Sequence, residues 1–510
     1  MKRFRLGEDL LTITDIRSFI GGGLEPHLSA KREALLLNGR KVLDKLITGE
    51  TYYGINTGFG RLANTKIETK DLKRLQTNLI RSHAFGAGGE LSRNIVRLMM
   101  LLRAHMLAMG YSGISLPPLR LLIEMIRQDL TPVVPEKGSV GASGDLSPLA
   151  YIALAMMGEG EVYYRGERLE SKKALQKAGL KAVELAPRDG LALVNGTQAM
   201  TATGAILVTR GEDLIKLMDM AAALSVEGIR ASATPFNHEL NAIRNQRGQV
   251  KAAAAIRKMI EGSEIISAHK DCGRVQDPYS FRCIPQVHGA VRDVYYYTRG
   301  ILEREMNACT DNPVILKDGR ILSGGNFHGE PLALAFDAFA IAFAELGSIS
   351  ERRIEQLTNP KSHDLPVMFL TPNPGLNSGF MIPHVVAASL VSENKVLAHP
   401  ASVDNIPTSA GQEDHVSMGM WGARKALSIL DNLEWIAVIE LMAAAEAIDL
   451  HEKRLSPGKG TSILYRYIRR FVKPLKDDRF LAPEAELLLE EIRSGRLIRS
   501  VERGIGRLEV

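Results

Sequence analysis

The sequence predicts a mostly helical protein whose N-terminal part is mixed and rich in glycine. Long apolar stripes recur at helical spacing, strand candidates are few and short, and polar Gly- and Asn-rich segments interrupt the pattern. Leu332, Phe336, Phe339, Phe343 and Leu346 fall three or four residues apart, as do Leu430, Leu433, Ala437, Leu441, Ala444 and Ile448. Alanine at buried spacing lets helices approach closely, which suits a bundle. Residues 30–46 and 214–226 read as further helices, the first weakened by Asn38-Gly39. Strands are expected at Glu161-Val162-Tyr163-Tyr164, before the turn Arg165-Gly166, and at Val314-Ile315-Leu316, before the turn at 317–320. The chain divides near residue 200, into an N-terminal part (1–200) and a helical bundle with C-terminal helices (201–510).

Composition excludes several classes. With 510 residues, 45% hydrophobic and 24% charged, the chain can bury a large core and is not disordered. Its net charge of +6 is spread among interleaved acids and bases, which favours small anionic ligands over nucleic acid. Cys272, Cys283 and Cys309 form no zinc or disulfide pattern and read as reduced thiols. Asp337 and Glu345 interrupt the most apolar stretch, and acidic residues follow the N-terminal basic ones, so neither a membrane span nor a signal peptide is expected. A cytoplasmic location follows. Gly458-Lys459-Gly460-Thr461 lacks the hydroxyl residue a P-loop needs after lysine, and the histidines lack ligand spacing, so neither ATP nor a metal is expected.

The chemistry lies in Gly138-Ser139-Val140-Gly141-Ala142-Ser143-Gly144-Asp145. Attack of the Gly144 amide nitrogen on the Ala142 carbonyl carbon would close a five-membered ring. Loss of two waters, one carrying away the Ser143 hydroxyl, would then leave a methylidene-imidazolone. Gly144 tolerates the strained backbone, Ala142 is too small to obstruct closure, and Ser143 supplies the hydroxyl that leaves. The product is an electrophile that no natural side chain offers. Tyr53-Gly54-Ile55-Asn56-Thr57-Gly58-Phe59-Gly60 is a glycine-punctuated loop able to hold a tyrosine hydroxyl over a substrate.

These two segments, with VNGTQAM at Val194, QDPYSFRC at Gln276, TDNP at Thr310, SGGNFHGEP at Ser323 and SAGQEDHVSMG at Ser409, resemble the aromatic amino-acid ammonia-lyase family. Within it the resemblance is to the members that act on histidine. It implies a fumarase/aspartase-like fold with a long central helical bundle. It also implies a homotetramer whose active sites are shared between subunits, and an electrophile built from Ala142, Ser143 and Gly144 with no external cofactor. The implied reaction expels ammonia from L-histidine to give trans-urocanate.

By the same resemblance Tyr53 matches the catalytic base, a phenol that needs nearby cations or hydrogen-bond donors to act as phenolate at neutral pH. Arg282 matches the clamp on the substrate carboxylate, a pairing that suits a planar guanidinium, and Tyr279 a hydrogen-bond donor beside it. Asn195 and Gln276 match amides that orient the prosthetic group and substrate, and Asn312 and Phe327 match pocket walls. His83 and Glu413 match the groups that face the substrate ring, with Glu413 also a proton shuttle. An imidazole satisfies a buried carboxylate where a phenyl ring would strand it. Gly411 departs from the asparagine common before the Gln-Glu-Asp run, which bears on pocket shape. A tyrosine or phenylalanine lyase, or a 2,3-aminomutase, would use the same electrophile, and a silent helical assembly would keep only the fold.

Overall fold

Both apolar stripes form long helices, Glu330–Thr358 and Gly419–Asp449, joined by two more, Gln198–Gly228 and Ile284–Met306. This computed structural model describes residues 1–46, 52–268, 275–316, 318–359 and 367–510. Contacts divide the chain into two compact units, and not at a single cut. The first comprises Met1–Val208, Thr298–Asp337 and Pro400–Arg424; the second comprises Thr209–Tyr297, Ala338–His399 and Lys425–Val510. The chain therefore returns twice to the first unit after residue 200, bringing with it the Thr310 and Ser409 motifs.

In the first unit the helix Arg93–Ala108 is buried on nearly every face and carries two polar residues, Arg103 and His105, into the interior. The strand Glu161–Tyr164 forms where expected and pairs antiparallel with Glu167–Glu170 and Thr131–Pro132. Its hairpin turn has positive φ at both Arg165 and Gly166, the backbone twist that two-residue hairpins favour. Val314–Ile315 pairs with Ile321–Leu322; within the turn between them Lys317 lies outside the described residues. Residues Ala30–Leu46 run as one helix through Asn38-Gly39. The parallel pair Lys2–Arg5 with Leu24–His27, and Ala87–Glu90 with Pro135–Lys137, have no counterpart in the sequence reading. At Gly204 an added Cβ would lie 2.4 Å from the Phe336 ring, so glycine sets how closely these helices approach.

In the second unit the helices pack around a buried ionic network. The Arg353 guanidinium donates to both Glu440 oxygens, at 2.5 and 2.9 Å, and Ser225 and Ser350 hydroxyls donate to the same carboxylate. Asp219 accepts from Arg292 and, at 2.8 Å, from His288 Nδ1. Burial alone would raise the Asp219 carboxyl, but Arg292 and His288 hold it below the usual range. Phe339 and Phe343 stack at 4.0 Å nearby in sequence.

Cys283 and Cys309 are free thiols, and Cys272 lies outside the described residues. Among the described residues only Glu330–Thr358 is long and apolar enough to cross a membrane, and 61% of its most apolar window is buried within the protein. Arg353→Met should cost about 3–5 kcal/mol in urea unfolding, because it leaves Glu440 charged and buried. Adding Glu440→Leu should recover much of that loss.

His105 gives a second expectation. Burial pushes its imidazole down to about 4, well below the value near 6.5 of an unfolded chain. Between those values the unfolded state binds the extra proton, so stability falls as pH drops from about 6.5 to 4. His105→Gln should flatten the fall of the thermal midpoint over that window.

Candidate active site

The Ala142-Ser143-Gly144 segment is held from both sides. On its N-terminal side Met418 N–H donates to Val140 O at 2.8 Å, while Ser417 Oγ and Gly329 N–H donate to Gly141 O at 2.9 and 3.1 Å. On its C-terminal side Asp145 N–H donates to Gly196 O at 2.7 Å. The Asp145 carboxylate accepts from Ser139 Oγ at 2.6 Å and from Met200 N–H at 2.9 Å, in the first turn of Gln198–Gly228, where a helix favours negative charge. Burial pushes Asp145 up to about 6. Gly144 has φ +71°, and a Cβ there would lie 2.2 Å from Gly196 O, so only glycine fits. The missing Cβ, the anchored flanks and the small Ala142 fit a chain prepared for ring closure.

Asn195 ends the short helix Asp189–Val194 and donates from Nδ2 to Ser143 O at 3.0 Å, while its Oδ1 has no hydrogen-bond partner among the described residues. Arg103 fixes that residue from beneath. Its buried guanidinium donates to the carbonyls of Asn195, at 2.7 Å, and Ala192, and to Gln198 Oε1 at 2.7 Å. Arg188, also buried, donates to the carbonyls of Ser112, Asn312 and Pro313 and pairs with Asp311 at 2.8 Å. Asn312 Oδ1 in turn accepts from Gly324 N–H and Ser323 Oγ, which leaves its amide nitrogen as a donor.

Glu413 lies on a loop with left-handed backbone at Ser409, Ala410 and Gly411. One carboxylate oxygen accepts from Ser143 Oγ at 2.6 Å; the other accepts from Thr408 Oγ1 at 2.5 Å and Ser409 Oγ at 3.0 Å. His83 ends the helix Leu72–His83, where Nδ1–H donates to Leu79 O at 2.9 Å, so its Nε2 is the acceptor. Burial lowers the His83 imidazole and keeps it neutral, against the opposing pull of Glu413. Tyr53 Oη accepts from Gly60 N–H at 3.2 Å. The tight turn depends on Gly54, where a Cβ would strike Leu191 at 2.2 Å.

Tyr53, Ala142, Ser143, Asn195, Asn312, Phe327 and Glu413 line one cavity of about 300 Å³ in the first unit, together with His328 and His415. Gln276, Tyr279 and Arg282 belong to the second unit. There Arg282 donates to Gln276 Oε1 and lies 4.9 Å over the Tyr279 ring; Tyr279 is 71% exposed. Gln276 and Arg282 line a cavity of that unit, of about 680 Å³. Sequence reasoning missed Arg103, Arg188, Thr408 and His328. Asp311 and His328 stand inside quoted motifs, but nothing in residue type or spacing gave Arg103 or Arg188 a role. Among the described residues no group of His, Cys, Asp and Glu could hold a metal ion.

Residues 11–470 match the family model for aromatic amino acid lyase. A histidine ammonia-lyase of Anaeromyxobacter sp. (strain K) is 48% identical over 508 residues, covering 98% of this chain and 100% of the relative. The crystal structure of histidine ammonia-lyase from Trypanosoma cruzi superposes with a TM-score of 0.89 at 38% identity, over 100% of this chain and 98% of that one. Tyrosine aminomutase from Streptomyces globisporus does so with a TM-score of 0.93 at 32% identity, over the whole of both chains. With a family match spanning most of its length and relatives aligned nearly end to end, the chain belongs to the aromatic amino acid lyase family, and is a carbon–nitrogen lyase.

Proposed function

We propose that this protein eliminates ammonia from L-histidine to give trans-urocanate, using a methylidene-imidazolone formed from its own Ala142, Ser143 and Gly144. The observation that carries the reading is the single cavity in which Ser143 meets Tyr53, Asn195 and Glu413. The high identity to histidine ammonia-lyases supports the substrate. When formed, the group supplies an electron sink that turns the substrate amine into a better leaving group.

The chain's own residues do the rest. Asn195 Nδ2 places a donor on Ser143 O, and a preorganised donor there would stabilise negative charge on that oxygen without rearrangement. Asn195 Oδ1 is free to accept from the substrate ammonium. Tyr53 removes the β-proton; its oxygen is oriented by the Gly60 amide, so the ring need not reorganise to reach the substrate. Glu413 accepts from the substrate imidazole N–H, with Thr408 and Ser409 fixing its far oxygen, and the neutral His83 ring faces the substrate ring. A phenyl ring has no N–H to offer the Glu413 carboxylate and would leave it unmatched.

Arg282 pairs with the substrate carboxylate, with Gln276 and Tyr279 beside it. In the proposed homotetramer these three come to the cavity from a neighbouring protomer; the exposure of Tyr279 and the absence of all three from the Ser143 cavity support that arrangement. The reduced thiols Cys283 and Cys309 suit a cytoplasmic location. A second reading, a tyrosine lyase or 2,3-aminomutase, is favoured by the match to tyrosine aminomutase, which has the same fold over its whole length.

Ultraviolet product assays with L-histidine, L-tyrosine and L-phenylalanine, with ammonia measured alongside, separate these readings. Urocanate from histidine alone is expected; coumarate, cinnamate or a β-amino acid would favour the second. Ser143→Ala should reduce turnover to background while the protein keeps its fold by circular dichroism. Glu413→Gln, which cannot exchange a proton, should lower kcat on histidine by about a hundredfold or more.

A further inference from the structure

His328 and His415 line the cavity, yet the proposed chemistry gives them no task. Their rings stack in parallel, 5.7 Å apart with planes 6° from each other. His328 has both nitrogens committed. Glu330 N–H donates to Nδ1 at 3.3 Å, and because an amide N–H only donates, Nδ1 must be the acceptor. Nε2 then carries the hydrogen and donates to His415 O at 3.1 Å. Adding a proton at Nδ1 would set N–H against N–H and break the first bond.

These two bonds join separate walls of the site. His328 sits on the turn from Gly325 to Glu330, beside Phe327, and the next residue, Gly329, donates its N–H to Gly141 O. The segment that His328 grips carries Glu413 two residues before His415. Within its own loop Thr408 pairs with Glu413, and Asn405 brackets Asp414 O and Val416 N–H; beyond it, Ser143 Oγ donates to Glu413, and the following Ser417 Oγ and Met418 N–H donate to Gly141 O and Val140 O. Among the described residues, His328 is the residue of the turn at 325–330 whose side chain bonds this loop, and the bond lies two residues from Glu413.

We propose that His328 is a positioning residue that holds Glu413 in its place on the wall of the cavity that Ser143 also lines. It does so by fastening the His415 carbonyl to the turn that carries Phe327 and grips Gly141. The proposal rests on the function proposed above for Glu413. His328 touches neither the reacting atoms nor the proton that moves, and it acts through the placement of Glu413.

His328→Phe keeps a ring for stacking on His415 but makes neither hydrogen bond. His328→Gln can still donate from its amide to His415 O. A small misplacement of a catalytic group costs up to about a hundredfold, so His328→Phe should lower kcat on L-histidine by about ten- to a hundredfold with KM within about threefold. His328→Gln should restore most of the loss. In a Glu413→Asp background, where the carboxylate is already displaced, the further loss from His328→Phe should shrink to less than about threefold, since residues acting through one another do not add.

A kcat unchanged by His328→Phe, no rescue by glutamine, or an equal loss in both backgrounds would overturn the proposal. So would a His328→Phe chain whose intact mass lacks the two-water deficit of the parent, since its defect would then lie in ring formation. Hydrogen exchange read on peptides spanning residues 408–416 needs no turnover. It should quicken in His328→Phe and return toward the parent in His328→Gln, and unchanged exchange overturns the link. If the parent released no ammonia from histidine, the function proposed above would fall, while exchange would still decide whether His328 holds the segment.

Discussion

Hydrogen bonds to Val140 and Gly141 on one side, and to and from Asp145 on the other, fix the backbone that flanks Ala142 and Ser143. Three further features of the first unit reinforce that restraint. Met200, which donates to Asp145, belongs to the first turn of a long helix, so the loop inherits the stiffness of the helix. Gly196 and Gly144 come too close for any side chain, and Ser417 and Gly329 bring two distant segments onto one carbonyl. A reacting backbone needs this kind of support, because ring closure demands that an amide nitrogen and a carbonyl carbon two residues away meet in a strained geometry.

The site rests on buried charge used as scaffolding. Arg103 and Arg188 are almost wholly buried and spend their donors chiefly on backbone carbonyls, which places Asn195 and Asn312. Burial lowers Arg103 to about 10 and raises the Asp311 carboxyl, and the attraction between Asp311 and both guanidiniums offsets part of that cost. Leaving one such carbonyl unpaired would cost about 1–3 kcal/mol, so each arginine stabilises its wall by more than its charge alone. A different solution appears in the second unit, where Arg353 and Glu440 meet in a bidentate pair closed by two serines.

Much of this was legible in the sequence, and what was not has a physical reason. Helical periodicity placed the two apolar stripes, and the hairpin at Arg165-Gly166 announced itself through turn chemistry. The parallel pair of Lys2–Arg5 with Leu24–His27 did not, because four-residue strands brought together across a helix leave no local pattern. Within the site, contiguous motifs pointed to Tyr53, Ser143, Asn195, Asn312, Phe327 and Glu413, which do share a cavity. The donor expected beside Tyr53 is a backbone amide, that of Gly60, and backbone groups carry no signature in residue type. Arg103 looked like one more charge on a helix, since its partners, Ala192, Asn195 and Gln198, are nearly ninety or more residues away. His83 revealed its type but not that Leu79 O already holds one of its nitrogens.

The most direct test of the account is the intact mass of the purified chain, followed by fragmentation of the peptide that contains residues 138–148. A mass lower than the sequence by two waters, both missing from Ala142-Ser143-Gly144, is the predicted result. An unmodified Ala142-Ser143-Gly144 in a protein that still releases ammonia from histidine would contradict it, because the anchored loop would then serve some purpose other than making the electrophile.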